Sequence, residues 1–182
     1  VKEKDYQMTR KKICQLLTGL FAKHAYLLES GLLYETEVRY FKRVSEEMDD
    51  SDASMALHQL SDFLHRYYKK NVIILLDEYD TPMQEAFVNG YWDELAVFTR
   101  NLFHAAFKTN PWLERALMTG ITRVGKESIF SDLNNLEVIT STSEKYAVSF
   151  GFTEEEVSAA LDEYGLSKKR EEVKRWYNGF VF

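Results

Sequence analysis

Apolar residues recur at three- and four-residue intervals along the first part of the chain, and this spacing predicts amphipathic helices. The first helix is predicted from about Lys4 to Glu29, with Gly31 ending it. A charged stretch over 35–48 predicts a short surface helix, and the apolar spacing over 53–68 predicts a longer one. The chain is therefore expected to open with helices rather than strands.

Five consecutive apolar residues, Val72 to Leu76, break this spacing. The run is too short for a helix and begins with β-branched residues, so it predicts a strand buried on both faces, as in parallel sheets. The sequence Thr81-Pro82-Met83-Gln84 fits a capping box with proline at the first helical position. A new helix is therefore predicted to begin soon after this central strand.

Later segments continue the alternation of helices and strands. Apolar spacing from Trp92 to Ala106 predicts a helix, and residues 115–120 predict a second strand. A third strand is predicted over 136–139, with a weaker candidate over 146–150. Helices that alternate with strands are typical of a parallel sheet with crossover connections, so the predicted fold class is α/β.

The pattern changes near residue 151, where a small helical region is predicted. Thr153 and Glu156 fit a capping box, and Phe152 with Val157 fits a hydrophobic staple. The helix is expected to end at Gly165. The positions expected to face inward are Val157, Ala160, Leu161 and Tyr164.

Size and composition restrict the class of protein. A length of 182 residues with 45% apolar content fits one domain with an appendage, which we divide into 1–150 and 151–182. The net charge is −6, from 23 basic and 29 acidic side chains, which gives no electrostatic footprint for nucleic acid. Cys14 is the only cysteine, which excludes a disulfide framework. Without a membrane-length apolar run or a signal peptide, the sequence predicts a cytoplasmic protein.

Both ends of the chain lead us to expect a piece of a longer protein. The chain begins with Val1 rather than methionine, and it ends on an aromatic segment over 176–182. Aromatic side chains of this kind are expected to be covered rather than exposed.

Two acids follow the central strand directly and are the first candidates for chemistry. In open α/β sheets, ligands bind beyond the carboxyl ends of the strands, which is where Asp77 and Glu78 are expected to lie. This is the pattern of a Walker B segment, in which the first acid helps to hold Mg²⁺ on the nucleotide and the second orients the attacking water. The alternative is that the acids only mark the point where the chain returns to the surface.

The segment from Gly120 to Glu127 has the glycine and lysine spacing of a P-loop. Glu127 occupies the position where a P-loop needs a Ser or Thr hydroxyl for Mg²⁺, and the segment follows the acid-bearing strand instead of preceding it. We therefore interpret it as a loop in which Thr119, Thr122 and Arg123 face a nucleotide from beside the acids. No glycine before the central strand is followed by Gly-Lys, so the sequence lacks a phosphate-binding half.

Four ordered blocks, at 75–82, 119–136, 151–157 and 176–180, resemble the bacterial AAA-ATPase-like family of predicted P-loop proteins. The resemblance runs from about Leu60 to the end of the chain. Members of that family usually begin with a phosphate loop containing a Pro-Arg-Arg-Phe-Gly-Lys-Thr-like run, and many carry a restriction-endonuclease-like domain after the ATPase region. This sequence contains neither feature.

The resemblance implies a P-loop NTPase-type sheet that binds ATP and Mg²⁺ in the full-length protein. It implies that Asp77 holds the metal and the nucleotide, and that Glu78 acts catalytically. Thr119 and Arg123 would occupy the sensor position, and residues 152–178 would form a helical lid. The implied partners are the nucleotide and a C-terminal nuclease-like domain.

Two other functions remain open at this stage. The chain could be a regulatory or scaffold module that keeps the fold without catalysis, although such a module has little need for Glu78 beside Asp77. The acids Asp77, Glu78 and Asp80 could instead form a metal nuclease site, although no lysine lies within two residues of them. The ATPase interpretation accounts for more of the sequence.

Overall fold

We analysed a computed structural model of the chain, which describes residues 1–121, 129–130, 133, 136–140, 143–146, 149 and 151–177. The chain divides into two compact units, residues 1–134 and residues 135–182. Each unit is described by itself.

The described residues of the first unit form five α-helices. They are α1 (Tyr6–Lys23), α2 (Glu35–Arg43), α3 (Asp50–Tyr68), α4 (Thr81–Asn89) and α5 (Trp92–Phe103). Helix α5 continues into a π-helical segment, His104–Lys108. The prediction that one helix reaches Glu29 is wrong, because α1 ends at Lys23 and a 3₁₀ turn follows over Ala25–Glu29. The turn tightens where the His24 amide donates to the carbonyl of Phe21 at 2.9 Å, three residues back.

The core of the first unit lies between α1, α3 and α5, which contact one another. Each of these helices has an apolar stripe that is almost fully removed from solvent. Each buried Leu or Phe contributes roughly 1.5–3 kcal/mol to folding. The buried residues of these stripes include Cys14, Leu17, Phe21, Leu60, Phe63, Leu95, Phe98 and Leu102. Burial raises the pKa of the Cys14 thiol, as expected for a packed cysteine.

Two parallel strands form the sheet that the structure describes. They are β1 (Val72–Leu76) and β2 (Leu113–Met118), with Leu76 opposite Met118 at their carboxyl ends. Helices α4 and α5 make the crossover between them. The α/β fold class with parallel strands is confirmed at this level, and β2 begins two residues earlier than predicted.

The prediction that β1 is buried on both faces is wrong. Ile73 is 62% exposed and Leu75 is 73% exposed, whereas their neighbours are half-buried. Helix α3 contacts β1 and the π-helical segment contacts β2. Leu117, which pairs with Leu75, is also 60% exposed. No described element of the first unit therefore covers the face of the sheet that carries Leu75 and Leu117.

The third predicted strand is also wrong, because residues 136–140 are described and contain no strand. Local side-chain bonds hold this segment instead. Lys145 donates to Glu137 at 2.6 Å, and the Thr140 amide donates to Ser143 Oγ at 2.9 Å. Such bonds offer the backbone an alternative to a strand ladder. The weaker candidate over 146–150 lies mostly outside the described residues.

The second unit contains α6 (Glu154–Glu163) and α7 (Arg170–Tyr177). The predicted capping box is confirmed: the Glu156 amide donates to Thr153 Oγ1 at 3.2 Å, and the Thr153 amide donates to Glu156 Oε2 at 2.8 Å. The predicted stop is confirmed too, since α6 ends at Glu163 and Gly165 follows with φ +68°.

The predicted inward face of α6 is wrong at Ala160 and Tyr164, which are exposed, whereas Val157 and Leu161 are half-buried. The predicted staple is also wrong. Phe152 is 85% exposed, Tyr164 is 77% exposed, and no residue of α6 is buried. Amphipathic spacing shows which face could be covered, but coverage needs a partner surface. Among the described residues of this unit, an exposed ion pair between Lys174 and Glu154 connects α7 to α6.

Within the described part of the chain, no helix combines the length and the apolar character required to cross a lipid bilayer.

Candidate functional site

The carboxyl ends of β1 and β2 place Asp77 beside Thr119. The Thr119 amide donates to the carbonyl of Leu76 at 2.9 Å, and the Tyr79 amide donates to the carbonyl of Thr119 at 3.1 Å. The strand ladder therefore extends past β2, and the Thr119 hydroxyl donates a short hydrogen bond to Asp77 Oδ1. We call Asp77, Glu78 and Thr119 the strand-end site.

Glu78 joins this site through its backbone. Its amide donates to Thr119 Oγ1 at 3.4 Å, and its φ is +52°, in the left-handed region. A residue other than glycine seldom adopts this conformation, and such residues are concentrated at functional sites. The Glu78 carboxylate is exposed and makes no hydrogen bond or ion pair with the residues that the structure describes.

Asp80, which the sequence offered only as a possible ligand of a nuclease site, has a structural role that sequence reasoning did not predict. Its side chain is 1% exposed, and its Oδ2 accepts from Gln84 Nε2 at 2.7 Å and from the Ile121 amide at 3.0 Å. Asp80 is also the N-cap of α4, one residue before the predicted cap, so the helix starts at Thr81 and Gln84 bonds to Asp80 instead of Thr81. The available signal was an acid directly before a proline-containing helix start.

Gly120 lies against this buried carboxylate. A Cβ atom at Gly120 would come within 2.7 Å of Asp80 Oδ1 and 2.9 Å of Tyr79 Cε1. A Cβ atom does not approach a heavy atom to which it is not covalently bonded this closely. The loop after β2 can therefore approach the loop after β1 only because residue 120 has no side chain.

An aromatic series connects the strand ends to the core. The ring of Tyr79 lies 5.4 Å from that of Phe130 in an edge arrangement, and Phe130 stacks on Phe103 at 5.9 Å. Phe130 is 6% exposed and its neighbour Ile129 is 2% exposed. These contacts fix the Tyr79 segment on α5, and sequence reasoning did not assign them.

The structure describes only part of the predicted site. Thr122, Arg123 and Lys126 lie outside the described residues. The sensor role of Arg123 and the interpretation of the P-loop-like segment therefore remain predictions. Of the predicted site, the structure brings together Asp77, Thr119 and the backbone of Glu78.

The Asp77 carboxylate suits a magnesium ion that keeps most of its waters better than a metal ion that is enclosed entirely by protein ligands. Mg²⁺ keeps several waters and commonly binds proteins through one or two carboxylates. Asp77 is exposed, and Thr119 engages one of its two oxygens. Among the described residues, no group of three or more His, Cys, Asp or Glu could hold a metal. Asp80 is buried and bonded to Gln84 and Ile121, which removes it as a ligand for the nuclease hypothesis.

A family model described as predicted AAA-ATPase matches residues 15–130, which is more than half of the chain. The chain belongs to this AAA-ATPase-like family. The region matched to the AAA-ATPase-like family contains the second half of α1, all of α2 to α5, both strands and the strand-end site. The helices α6 and α7 lie beyond the matched region.

A relative of this AAA-ATPase-like chain is found in Azotobacter chroococcum mcd 1. It is described as an uncharacterized protein in the vnfD 5' region and is 31% identical over 112 residues. The alignment covers 61% of this chain and 22% of the relative, so the chain spans about a fifth of that protein's length. No solved structure matches the chain.

Proposed function

We propose that this chain carries the Walker B half of an ATP-hydrolysing site and that hydrolysis occurs in the full-length protein. The observation that carries the proposal is the hydrogen bond from the Thr119 hydroxyl to Asp77 across the ends of two parallel strands, within the region matched to the AAA-ATPase-like family. Such an edge is where α/β sheets bind ligands.

Each residue of the strand-end site has a distinct role in this proposal. Asp77 would hold Mg²⁺ with the oxygen that Thr119 leaves available, and the bound ion would neutralise charge on the nucleotide phosphates. Thr119 orients the Asp77 carboxylate. Glu78, whose carboxylate is exposed, accepts a hydrogen bond from the attacking water and orients it.

The finer parts of the proposal concern regions beyond this site. Arg123 would stabilise the charge that develops on the transferred phosphoryl group. Residues 152–178 would act as a lid, and the phosphate-binding loop of a P-loop NTPase-type sheet would come from another part of the full-length protein. A nuclease-like domain in the same full-length protein would be a partner of the ATPase.

A regulatory or scaffold module is the second candidate, and the exposed sheet face supports it. Ile73, Leu75 and Leu117 present apolar surface that a partner could cover. The two candidates differ in what they require of Glu78. A scaffold has no use for a second acid held in a left-handed conformation, which favours hydrolysis.

Substitution of the two acids in the full-length protein tests the proposal. Glu78→Gln should retain nucleotide binding and lower turnover by about 100-fold or more, because the amide cannot act as the base that orients water. Asp77→Asn should also weaken Mg²⁺-dependent ATP binding. Phosphate release under saturating ATP and calorimetric titration with ATP measure the two effects.

Glu114→Gln is the matched control, because Glu114 is an exposed acid near the amino end of β2, away from the carboxyl ends that form the site. It should leave both measurements unchanged. Equal turnover for the wild type and Glu78→Gln would remove Glu78 from the mechanism, whereas a wild type without ATP turnover would favour the scaffold.

A further inference from the structure

We propose that Asp80 is a positioning residue that sets Thr119 against Asp77 by joining the loop after β1 to the loop after β2. The proposal concerns four residues, Asp80, Gln84, Gly120 and Ile121, which we call the Asp80 cluster. As a statement about catalysis it rests on the proposed ATPase function. As a statement about geometry it can be tested without it.

The first argument is the burial of the carboxylate together with its choice of partners. Asp80 is 1% exposed, and a buried carboxylate is retained only where hydrogen bonds compensate for lost hydration. Its Oδ2 accepts from the Ile121 amide at 3.0 Å, 41 residues further along the chain, and from Gln84 Nε2 at 2.7 Å. Hydrogen bonds to a charged acceptor are roughly twice as strong as neutral ones.

The second argument distinguishes Asp80 from an ordinary helix cap. An aspartate at the N-cap usually accepts from the backbone amides of the first helical turn. Asp80 occupies the N-cap of α4, but its side chain makes no such capping bond. The carboxylate instead connects the start of α4 to the segment after β2.

The third argument is the close approach at Gly120. The carboxylate of Asp80 lies where a Cβ of residue 120 would come within 2.7 Å of it. The peptide between Thr119 and Ile121 is therefore held at both ends. At one end the Thr119 amide and carbonyl bond to Leu76 and Tyr79, and at the other the Ile121 amide bonds to Asp80.

This double attachment limits where the Thr119 hydroxyl can lie. A displacement of about 1 Å at a site of this kind lowers turnover by as much as 100-fold. Removing the Asp80 carboxylate releases one end of the peptide and should loosen the bond from Thr119 to Asp77. The effect reaches the site through Thr119, without contact between Asp80 and the nucleotide.

Kinetics of the full-length protein test the catalytic part. Asp80→Ala should lower kcat for ATP by roughly ten-fold or more while KM changes less than about three-fold. The reason is that the chemical step depends on the position of Thr119 more than nucleotide binding does. Asp80→Asn keeps one acceptor oxygen and should recover part of kcat. Asp93→Asn, which removes an exposed acid from the first turn of α5, should match the wild type.

Amide hydrogen exchange in the 182-residue chain tests the geometry by itself. In the wild type the amides of Ile121 and Tyr79 should be protected, since they donate to Asp80 and to the Thr119 carbonyl. Asp80→Ala should expose both amides, whereas Asp93→Asn should expose neither. If Asp80→Ala fails to fold, Ile121→Pro provides the same test, because it removes the donor while keeping the carboxylate. It should also expose the Tyr79 amide.

The two measurements separate the two proposals. A full-length protein without ATPase activity would overturn the proposed function, while hydrogen exchange would still decide the role of Asp80. A protected Tyr79 amide in both Asp80→Ala and Ile121→Pro would overturn the positioning role. An unchanged kcat in Asp80→Ala would overturn its catalytic consequence.

Discussion

The hydroxyl of Thr119 shows how much one side chain can contribute at the end of a small sheet. It donates to the carboxylate of Asp77 and accepts from the amide of Glu78, so it links one strand end to the other by two bonds. Serine could form the same bonds, whereas valine would keep the shape and lose both. The role of Thr119 therefore depends on its hydroxyl oxygen.

Gly120→Ala is expected to destabilise the chain by about 1–3 kcal/mol, because the added Cβ overlaps Asp80 and Tyr79 and must displace them. Urea unfolding of the 182-residue chain measures the change. Gly19→Ala is the control, since Gly19 lies in α1 with no atom near its added Cβ, and alanine should stabilise a helix there by about 0.5–1 kcal/mol. Equal effects of the two substitutions would show that Gly120 is not a close-approach site.

For individual residues, the sequence predicts the proximity of Asp77 and Thr119 but not the contact between Asp80 and Ile121. The positions of Asp77 and Thr119 follow from the rule that parallel strands end at one edge of a sheet, so their proximity was predictable. The contact between Asp80 and Ile121 spans 41 residues and depends on a glycine with no room for a Cβ. Hydrophobic spacing carries no information about such a contact.

The elements of this chain depend on covering surfaces to different extents. Helix α3 has five buried residues, whereas α6 has none, so capping contributes a larger share of the stability of α6. The bonds between Thr153 and Glu156 satisfy amide groups that would otherwise lack partners at the start of α6.

Thr153→Ala should therefore lower the helix content of α6, while Ser158→Ala, inside the same helix, should leave it equal or higher. The bonds from Thr153 lower the pKa of Glu156, so the contribution of this carboxylate is fully present above its unfolded pKa and is lost as pH falls through the lowered value. Amide NMR of α6 at about pH 7 and about pH 3 measures both effects. Equal helix content for wild type and Thr153→Ala at both pH values would contradict the capping role.

Two errors at the level of elements, in β1 and in α6, share one cause. The run of apolar residues in β1 and the spacing in α6 identify surfaces that can be buried, and both elements form where they are predicted. Whether Ile73, Leu75 or Tyr164 is covered depends on a neighbour that local spacing does not specify. The missing third strand differs, because that segment makes local bonds instead: the Thr140 amide donates to Ser143 Oγ, and Lys145 donates to Glu137.

For the molecule as a whole, the expected affinity for ATP follows from the absent phosphate-binding motif. Most affinity for nucleotide phosphates comes from a glycine loop and its lysine, and this sequence has no complete motif of that kind. The 182-residue chain should bind Mg²⁺-ATP at millimolar concentrations or more weakly, as measured by calorimetry. Micromolar binding that Lys126→Ala abolishes would instead identify the segment from Gly120 to Lys126 as a phosphate loop.

The parallel arrangement of β1 and β2 has a consequence for the order of folding. Parallel strands cannot be joined by a hairpin, so pairing them requires closure of the whole segment that contains α4 and α5. Contacts that close long loops form more slowly than local ones. The strand ends, and with them the bond between Thr119 and Asp77, are therefore expected to assemble after the crossover helices, in the last steps before the native state is reached.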